Sequence, residues 1–128
     1  MDFNQLNEYF ESTEGTGILS TADADGKVNS AIYARPRFLD DDSIAFIMLD
    51  RLSYANIQSN PHAAYLFLEQ GEGYKGVRLH LNKVAEEHNT PRIDELMAER
   101  GTSGYAQKDR YLVFFAVDNI LPLVGSGD

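Results

Sequence analysis

Apolar and polar residues alternate along several short stretches of the chain, and this period of two predicts β-strands. Six stretches alternate or form short apolar runs, at residues 17–22, 28–38, 44–49, 63–69, 77–87 and 110–117. Turn-forming residues separate them, such as Asp25-Gly26, whose backbone preferences suit a hairpin. Pro36 lacks a backbone N–H, so we expect its part of the second strand at an edge or a bulge.

Three other stretches have helical spacing. The first begins at Asp2, which together with Gln5 has the pattern of a capping box. The second covers residues 53–59 and should end before Asn60-Pro61, because the residue before proline avoids helical angles. The third follows Thr90, with a proline at its first position. Six strands with short turns and two or three helices predict a mainly β, antiparallel barrel with peripheral helices.

Length and charge narrow the class of protein. The 128 residues suit one domain, so we expect residues 1–128 to form a single unit. The net charge of −9 argues against nucleic acid as a partner, because phosphate backbones favour basic surfaces. No apolar run is long enough to span a membrane, and the N-terminus does not resemble a signal peptide. We therefore expect a cytoplasmic protein without a membrane partner.

The sequence contains few groups that bind metals. It has no cysteine, which excludes disulfides and thiolate metal sites. The spacing of its three histidines, His62, His80 and His88, fits no compact metal motif. We therefore predict no metal site.

The most informative polar residues lie where the third strand is followed by the second helix. Arg51 and Ser53 stand at the helix start, where free backbone N–H groups and the helix dipole favour anions. Ser30 and Arg35 lie on the preceding strand, which we expect nearby in the sheet. These hydroxyl and guanidinium groups can together bind a phosphate monoester. Alternatively, Ser53 only caps the helix and Arg51 is solvated.

The order of these elements resembles a known family. A strand, a basic and hydroxyl cluster, a short helix, Asn60-Pro61 and the apolar strand 63–69 follow one another as in the pyridoxamine 5'-phosphate oxidase-like, FMN-binding split barrels. The resemblance covers residues 17–87 and, more loosely, the C-terminal strand. It implies a six-stranded antiparallel Greek-key split barrel. It also implies a homodimer that holds two FMN molecules at the subunit interface.

The resemblance also implies which residues contact the cofactor. They belong to the second strand, the end of the third strand, the start of the second helix, and the fifth strand with its preceding loop. These residues are Ser30, Ala31, Ile32, Tyr33, Arg35, Ile47, Met48, Leu49, Arg51, Ser53, Lys75, Gly76 and Arg78. Leu121 and Pro122 belong to an apolar C-terminal segment, which we expect at the dimer interface near the partner's flavin. The alternative is that this segment packs on its own barrel.

Two departures from the family bear on function. Leu52 stands where the family usually has a second basic residue. The histidine- and arginine-bearing C-terminal motif of the vitamin B6 oxidase is absent. We therefore expect an FMN-binding flavoprotein, either a flavin-dependent oxidoreductase or an electron carrier with a small-molecule redox partner, but not a vitamin B6 oxidase. No side chain is identified as a catalytic acid or base. Two alternatives remain, a non-enzymatic flavin- or haem-binding protein or sensor, and a ligand-free interaction module.

Overall fold

Seven antiparallel strands and three helices make up the part of the chain that the computed structural model describes, residues 1–40, 42–101 and 108–125. In chain order the elements are α1 (Phe3–Ser12), β1 (Gly15–Ala22), β2 (Val28–Ile32), β3 (Arg37–Asp40), β4 (Ser43–Leu49), α2 (Leu52–Ser59), β5 (His62–Glu69), β6 (Gly76–His88), α3 (Pro91–Glu99) and β7 (Arg110–Pro122). The strands form one sheet in the order β2-β1-β5-β6-β7-β4-β3. The mainly β, antiparallel prediction is confirmed.

The sheet is strongly curled, which follows from its topology. β2 and β3 are its two edge strands, yet only residues 33–36 separate them in the chain. Such a short connection spans less than about 20 Å, because consecutive Cα atoms are only about 3.8 Å apart. A flat sheet of seven strands spaced by about 4.8 Å would place its edges further apart than that. The two edges therefore approach one another, and the sheet forms a split barrel.

The strand count differs from the predicted six. The predicted second strand, residues 28–38, is two strands that lie at opposite edges of the sheet. Pro36 lies in the break between them, where its missing N–H removes no ladder hydrogen bond. The position of Pro36 at an irregularity was predicted. The separation of the two strands was not, because alternation continues on both sides of the proline.

The C-terminal segment also differs from its predicted form. Residues 118–122 continue β7, and Pro122 lies opposite Val77 of β6. Leu121 and Pro122 therefore pair through their backbones with β6 of their own barrel, and their position at a dimer interface stays a prediction. A register shift between His80 and Leu81 lets the long strands β6 and β7 stay paired across this segment.

Helix α1 closes one side of the barrel. Its capping box is formed as predicted, with the Asp2 carboxylate accepting from the Gln5 N–H and the Gln5 side chain accepting from the Asp2 N–H. Leu6 and Phe10 are buried in the main core. The Phe10 ring lies edge-on to Phe67 of β5, with ring centroids 5.1 Å apart. The amphipathic spacing of α1 thus places Leu6 and Phe10 in the main core of the barrel.

Both faces of β4 are covered, which explains its continuous apolar sequence. Ile44, Phe46 and Met48 face the main core. Ala45 faces a second core that α3 contributes through Ile93 and Met97. Ile47 and Leu49 lie on the same face of β4 as Ala45, and Leu49 is the end of the strand nearest to the start of α2.

Candidate functional site

A cleft of about 510 Å³ lies where the β2–β3 connection, β4, the start of α2 and the end of α3 meet. This volume is within the range of small-molecule sites. The lining combines aliphatic side chains with four arginines. The residues are Asn29, Ala31, Ile32, Tyr33, Ala34, Arg35, Arg37, Ala45, Phe46, Ile47, Leu49, Arg51, Leu52, Ser53, Met97 and Arg100.

Eight of the residues identified from the sequence line this cleft. They come from β2 and the connection after it, from β4 and from the start of α2, which the tertiary structure brings together. They are Ala31, Ile32, Tyr33, Arg35, Ile47, Leu49, Arg51 and Ser53.

Two of the predicted residues are neighbours in sequence of residues that line the cleft but do not line it themselves. The Ser30 hydroxyl is 2.8 Å from the Ser20 hydroxyl on β1, on the outer side of the sheet. Met48 is fully buried in the main core, because it alternates with Ile47 and Leu49, which line the cleft. Strand alternation separates Met48 from Ile47 and Leu49, whereas Ser30 shares a face of β2 with Ile32 and its hydroxyl pairs with Ser20.

Five further predicted residues lie on β5–β6–β7, outside the cleft lining. Arg78 donates from Nε to the Pro122 carbonyl at 2.9 Å and also donates to the Gly125 carbonyl. Leu121 is opposite Arg78 on β7. Lys75 is exposed in the loop before β6, and Gly76 begins that strand. Within one chain these residues form a separate group that does not line the cleft.

Arg51, Ser53 and Tyr33 form one end of the cleft. Arg51 is the N-cap residue of α2 in an extended conformation, and its side chain makes no capping hydrogen bond. Ser53 is not the cap but is buried within the first turn. Burial raises the pKa of the Tyr33 phenol, and the nearby Ser53 hydroxyl and Arg51 guanidinium partly oppose that rise. The exposed guanidinium, a hydroxyl and free helix N–H groups suit an anion.

Arg35, Arg37 and Arg100 form the other end. The Arg37 side chain is only 9% exposed, and its carboxylate partner Glu99 is 3.9 Å away and largely exposed. Arg100 donates to the Arg35 carbonyl at 2.7 Å. Loss of hydration and the charges of Arg37 and Arg35 lower the pKa of Arg100 to about 10. This cluster makes the second end of the cleft strongly positive, although the chain as a whole is acidic.

The arginine cluster was largely missed from the sequence. Arg37 follows Arg35 by two residues, so the sequence alone could have indicated that two arginines lie close together here. Arg100 ends α3, and no local pattern indicates that this helix reaches β3.

A second cavity, of about 320 Å³, lies on the other side of the three arginines, between α1, β3 and α3.

The wall between the two cationic ends is aliphatic. Ile47 and Leu49 are half-buried on β4, and Met97 comes from α3. Ile32 is 72% exposed and Leu52 is 57% exposed, which is unusual for large apolar side chains beside a cleft. One side of the cleft is therefore open and apolar.

The sequence comparison identifies the family. The family model described as pyridoxamine 5'-phosphate oxidase matches residues 4–119. This chain belongs to the pyridoxamine 5'-phosphate oxidase family. No curated protein sequence matches it. The strand order and barrel described above are those of the pyridoxamine 5'-phosphate oxidase-like split barrel.

Solved structures show the same fold at low sequence identity. An FMN-binding protein from Syntrophomonas wolfei subsp. wolfei has a TM-score of 0.72 at 20% identity, over 92% of this chain and 83% of that one. The haem storage protein HutZ from Vibrio cholerae has a TM-score of 0.70 at 15% identity, over 98% of both chains. An F420 reductase has a TM-score of 0.64 at 17% identity, over 88% of this chain and 94% of that one. At these identities the likeness concerns the fold.

The cleft has the chemistry that FMN, the cofactor implied by the family resemblance, requires. FMN combines a doubly charged phosphate with a flat aromatic ring system, and the cleft combines cationic ends with an aliphatic wall. Arg51 and Ser53 can bind the phosphate, and Ile32, Ile47 and Leu49 can pack on the ring. In the described residues no cluster of three metal-binding side chains occurs. No helix there is long and apolar enough to cross a membrane.

Proposed function

We propose that this protein is an FMN-binding flavoprotein and that its cofactor lies in the cleft between β2, β4 and α2. The observation that carries the proposal is the convergence of Arg51, Ser53 and Tyr33 at the end of an aliphatic wall. Bound FMN supplies the redox chemistry, whereas the protein orients the cofactor and controls its access to water and partners.

The side chains of the cleft have binding roles in this proposal. Arg51 binds the phosphate, and Ser53 adds a hydroxyl donor. Ile47 and Leu49 exclude water from one face of the ring. The Tyr33 phenol is protonated at neutral pH, and burial raises its pKa further above the ordinary value of 10.0, so we assign it the role of a hydrogen-bond donor and not of a base. We therefore assign no catalytic acid or base and place electron transfer, to a small-molecule redox partner, on the cofactor.

A homodimer completes the proposed site. The exposed Ile32 and Leu52 leave the ring side of the cleft open to solvent. A second copy of the chain would cover these side chains and bury the ring. Arg78, Leu121 and Pro122, which lie outside the cleft in one chain, would then approach the cofactor of the other.

An absorption spectrum of the protein as isolated tests the proposal, followed by titration of the apoprotein with FMN. We expect a flavin spectrum with two bands in the near-ultraviolet and blue, or saturable binding of added FMN. Protein that is colourless and stays so after incubation with FMN would contradict the proposal. Parallel titrations with FAD and haem identify the preferred ligand.

The arrangement favours flavin over haem. None of the three histidines lines the cleft of its own chain, so no imidazole of that chain is placed to bind a haem iron there. Two uses of the flavin remain, a flavin-dependent oxidoreductase or electron carrier, and a non-enzymatic flavin-binding protein. Stopped-flow mixing of the FMN-loaded protein with NADH or NADPH distinguishes them. Rapid, saturable bleaching is expected of the enzyme, and its absence with both donors supports a non-enzymatic role.

A further inference from the structure

One buried phenol holds the connection between β2 and β3, which lines the cleft. Tyr65 of β5 is fully buried. Its hydroxyl donates to the carbonyl oxygens of Tyr33 at 3.2 Å and Ala34 at 3.0 Å. Two successive peptide groups of the connection are therefore oriented by a single side chain from the barrel core.

Gly17 makes this arrangement possible. A Cβ atom at Gly17 would lie 1.8 Å from the Tyr65 hydroxyl oxygen and 2.6 Å from the Tyr33 carbonyl oxygen. The Gly17 carbonyl also accepts from the Tyr33 N–H at 3.0 Å. Only a residue without a side chain leaves room for the phenol to reach the connection, and the same residue ties the connection to β1.

The orientation of these carbonyls determines where two N–H groups point. In a trans peptide the C=O of one residue and the N–H of the next point in opposite directions. Because the carbonyls of Tyr33 and Ala34 face the buried phenol, the N–H groups of Ala34 and Arg35 point away from it. Both residues are exposed and line the cleft. Within the described part of the chain, neither N–H has a hydrogen-bond acceptor.

We propose that Tyr65 is a positioning residue that turns the N–H groups of Ala34 and Arg35 outwards as a pair of donors for an oxygen acceptor of the ligand. Two neighbouring N–H groups that point to the same side can both donate to an oxygen acceptor placed there. Tyr65 itself does not touch the ligand, because it is fully buried. With FMN as the ligand this inference rests on the proposed function, and it adds a residue outside the cleft to the recognition of the cofactor.

Tyr65→Phe tests the inference, because it keeps the ring and removes only the hydroxyl. Tyr9→Phe is a matched control, since the rings of Tyr9 and Tyr65 both pack on Phe10 and the Tyr9 hydroxyl donates to Glu69 at 2.7 Å, outside the cleft lining. Each variant loses one hydroxyl that donates a hydrogen bond, from the fully buried Tyr65 or from the half-buried Tyr9. The measurements are the dissociation constant for FMN and the absorption spectrum of the bound flavin.

We expect Tyr65→Phe to raise the dissociation constant about tenfold, the ratio that corresponds to the net contribution of one hydrogen bond. We also expect it to shift the spectrum of bound FMN. Tyr9→Phe should keep the wild-type dissociation constant and spectrum. If Tyr65→Phe binds like the wild type, or if both variants weaken binding equally, the inference is wrong.

Amide resonances in the wild-type protein provide a test that does not require a variant to fold. Addition of FMN should shift the amide resonances of Ala34 and Arg35 more than those of Gly26 and Lys27 at the remote β1–β2 turn. Binding of FMN without such shifts would overturn the role of Tyr65 but not the proposed function. If the wild type does not bind FMN, the proposed function fails. In that case the ligand-free proteins test the inference. Tyr65→Phe, but not Tyr9→Phe, should shift the carbonyl resonances of Tyr33 and Ala34. Unchanged resonances in Tyr65→Phe would overturn the inference.

Discussion

Arg51 is the best-placed cation for a phosphate group in the cleft. It is exposed, it precedes α2, and Ser53 and the phenol of Tyr33 lie beside it. In contrast, Arg35 already donates to the Phe10 carbonyl at 2.8 Å, and Arg37 pairs with Glu99. A guanidinium that is free to turn towards a ligand can give two parallel hydrogen bonds to phosphate.

We predict that Arg51→Ala weakens FMN binding by about 1.5–3 kcal/mol, the usual contribution of a hydrogen bond to a charged group. Isothermal titration calorimetry of the apoprotein measures the change. Lys27→Ala removes an equal charge at the exposed β1–β2 turn and should leave the affinity unchanged. An unaltered dissociation constant in Arg51→Ala would remove this residue from the site.

Leu52 offers a gain-of-function test at the same place. It lines the cleft, is 57% exposed and stands where the family usually has a basic residue. Leu52 lies outside both hydrophobic cores and beside Arg51, so Leu52→Arg should add a second phosphate ligand, and the phosphate would pair with the new charge where a second copy covers this position. We expect tighter FMN binding with a steeper dependence on salt, since screening weakens exposed charge pairs. Leu52→Gln has a polar but uncharged side chain, and it should not reproduce either effect.

At the scale of the elements, a carboxylate keeps α2 in place against the barrel. Glu86 of β6 accepts hydrogen bonds from Tyr54 and Gln58 of α2, and it pairs with Lys83 on its own strand. The Tyr54 ring also stacks on Tyr111 of β7, with centroids 3.8 Å apart and planes at 16°. The start of α2, and with it Arg51, is therefore oriented by contacts that lie outside the cleft.

These contacts predict how stability depends on pH. Burial alone would raise the pKa of Glu86, but hydrogen bonds from Lys83, Tyr54 and Gln58 outweigh it and lower the pKa. The folded state thus binds this proton more weakly than the unfolded state. The stabilisation is complete above the usual glutamate pKa of 4.5 and is lost as the pH falls through the lowered folded value.

Urea unfolding at a series of pH values measures this dependence. We expect the free energy of unfolding to fall as the pH drops below about 4.5, the usual value for glutamate. Glu86→Gln should lower it by about 1–2 kcal/mol at neutral pH and flatten the acid limb. Glu8→Gln, at an exposed position of α1, is the control and should leave the profile unchanged. Equal profiles for Glu86→Gln and the wild type would show that Glu86 does not stabilise α2.

For the whole molecule, the open apolar side of the cleft predicts association. Ile32 is 72% exposed on the edge strand β2, and Val28 on the same strand is 77% exposed. An exposed apolar edge strand favours pairing with another chain unless it is covered. The proposed dimer would cover it and enclose the cofactor at the same time.

Analytical ultracentrifugation should find a species of twice 14.3 kDa. Ile32→Asp should shift this species to the monomer and weaken FMN binding in parallel, because a charge would be buried without a partner. Val84→Asp is a matched control at a 56% exposed valine of β6, and it should preserve both properties. A wild-type monomer that binds FMN tightly would contradict the dimeric site.

Local sequence patterns were sufficient to predict those features of helices and strands that depend only on neighbouring residues. The capping box of α1, the end of α2 before Pro61 and the alternation of β1 and β6 each depend on neighbouring residues, and the structure confirms them. The order of elements was sufficient for the family. Arg51 and Ser53 were identified because a strand end and a helix start are adjacent in the chain.

The tertiary structure decided what depends on residues distant in sequence. It placed β2 and β3 at opposite edges of one curled sheet, brought Arg100 of α3 beside Arg37, and paired the last residues of β7 with β6. The physical reason is that sequence determines which face a side chain takes within its own element, whereas the curvature of the sheet and the docking of helices determine which faces meet.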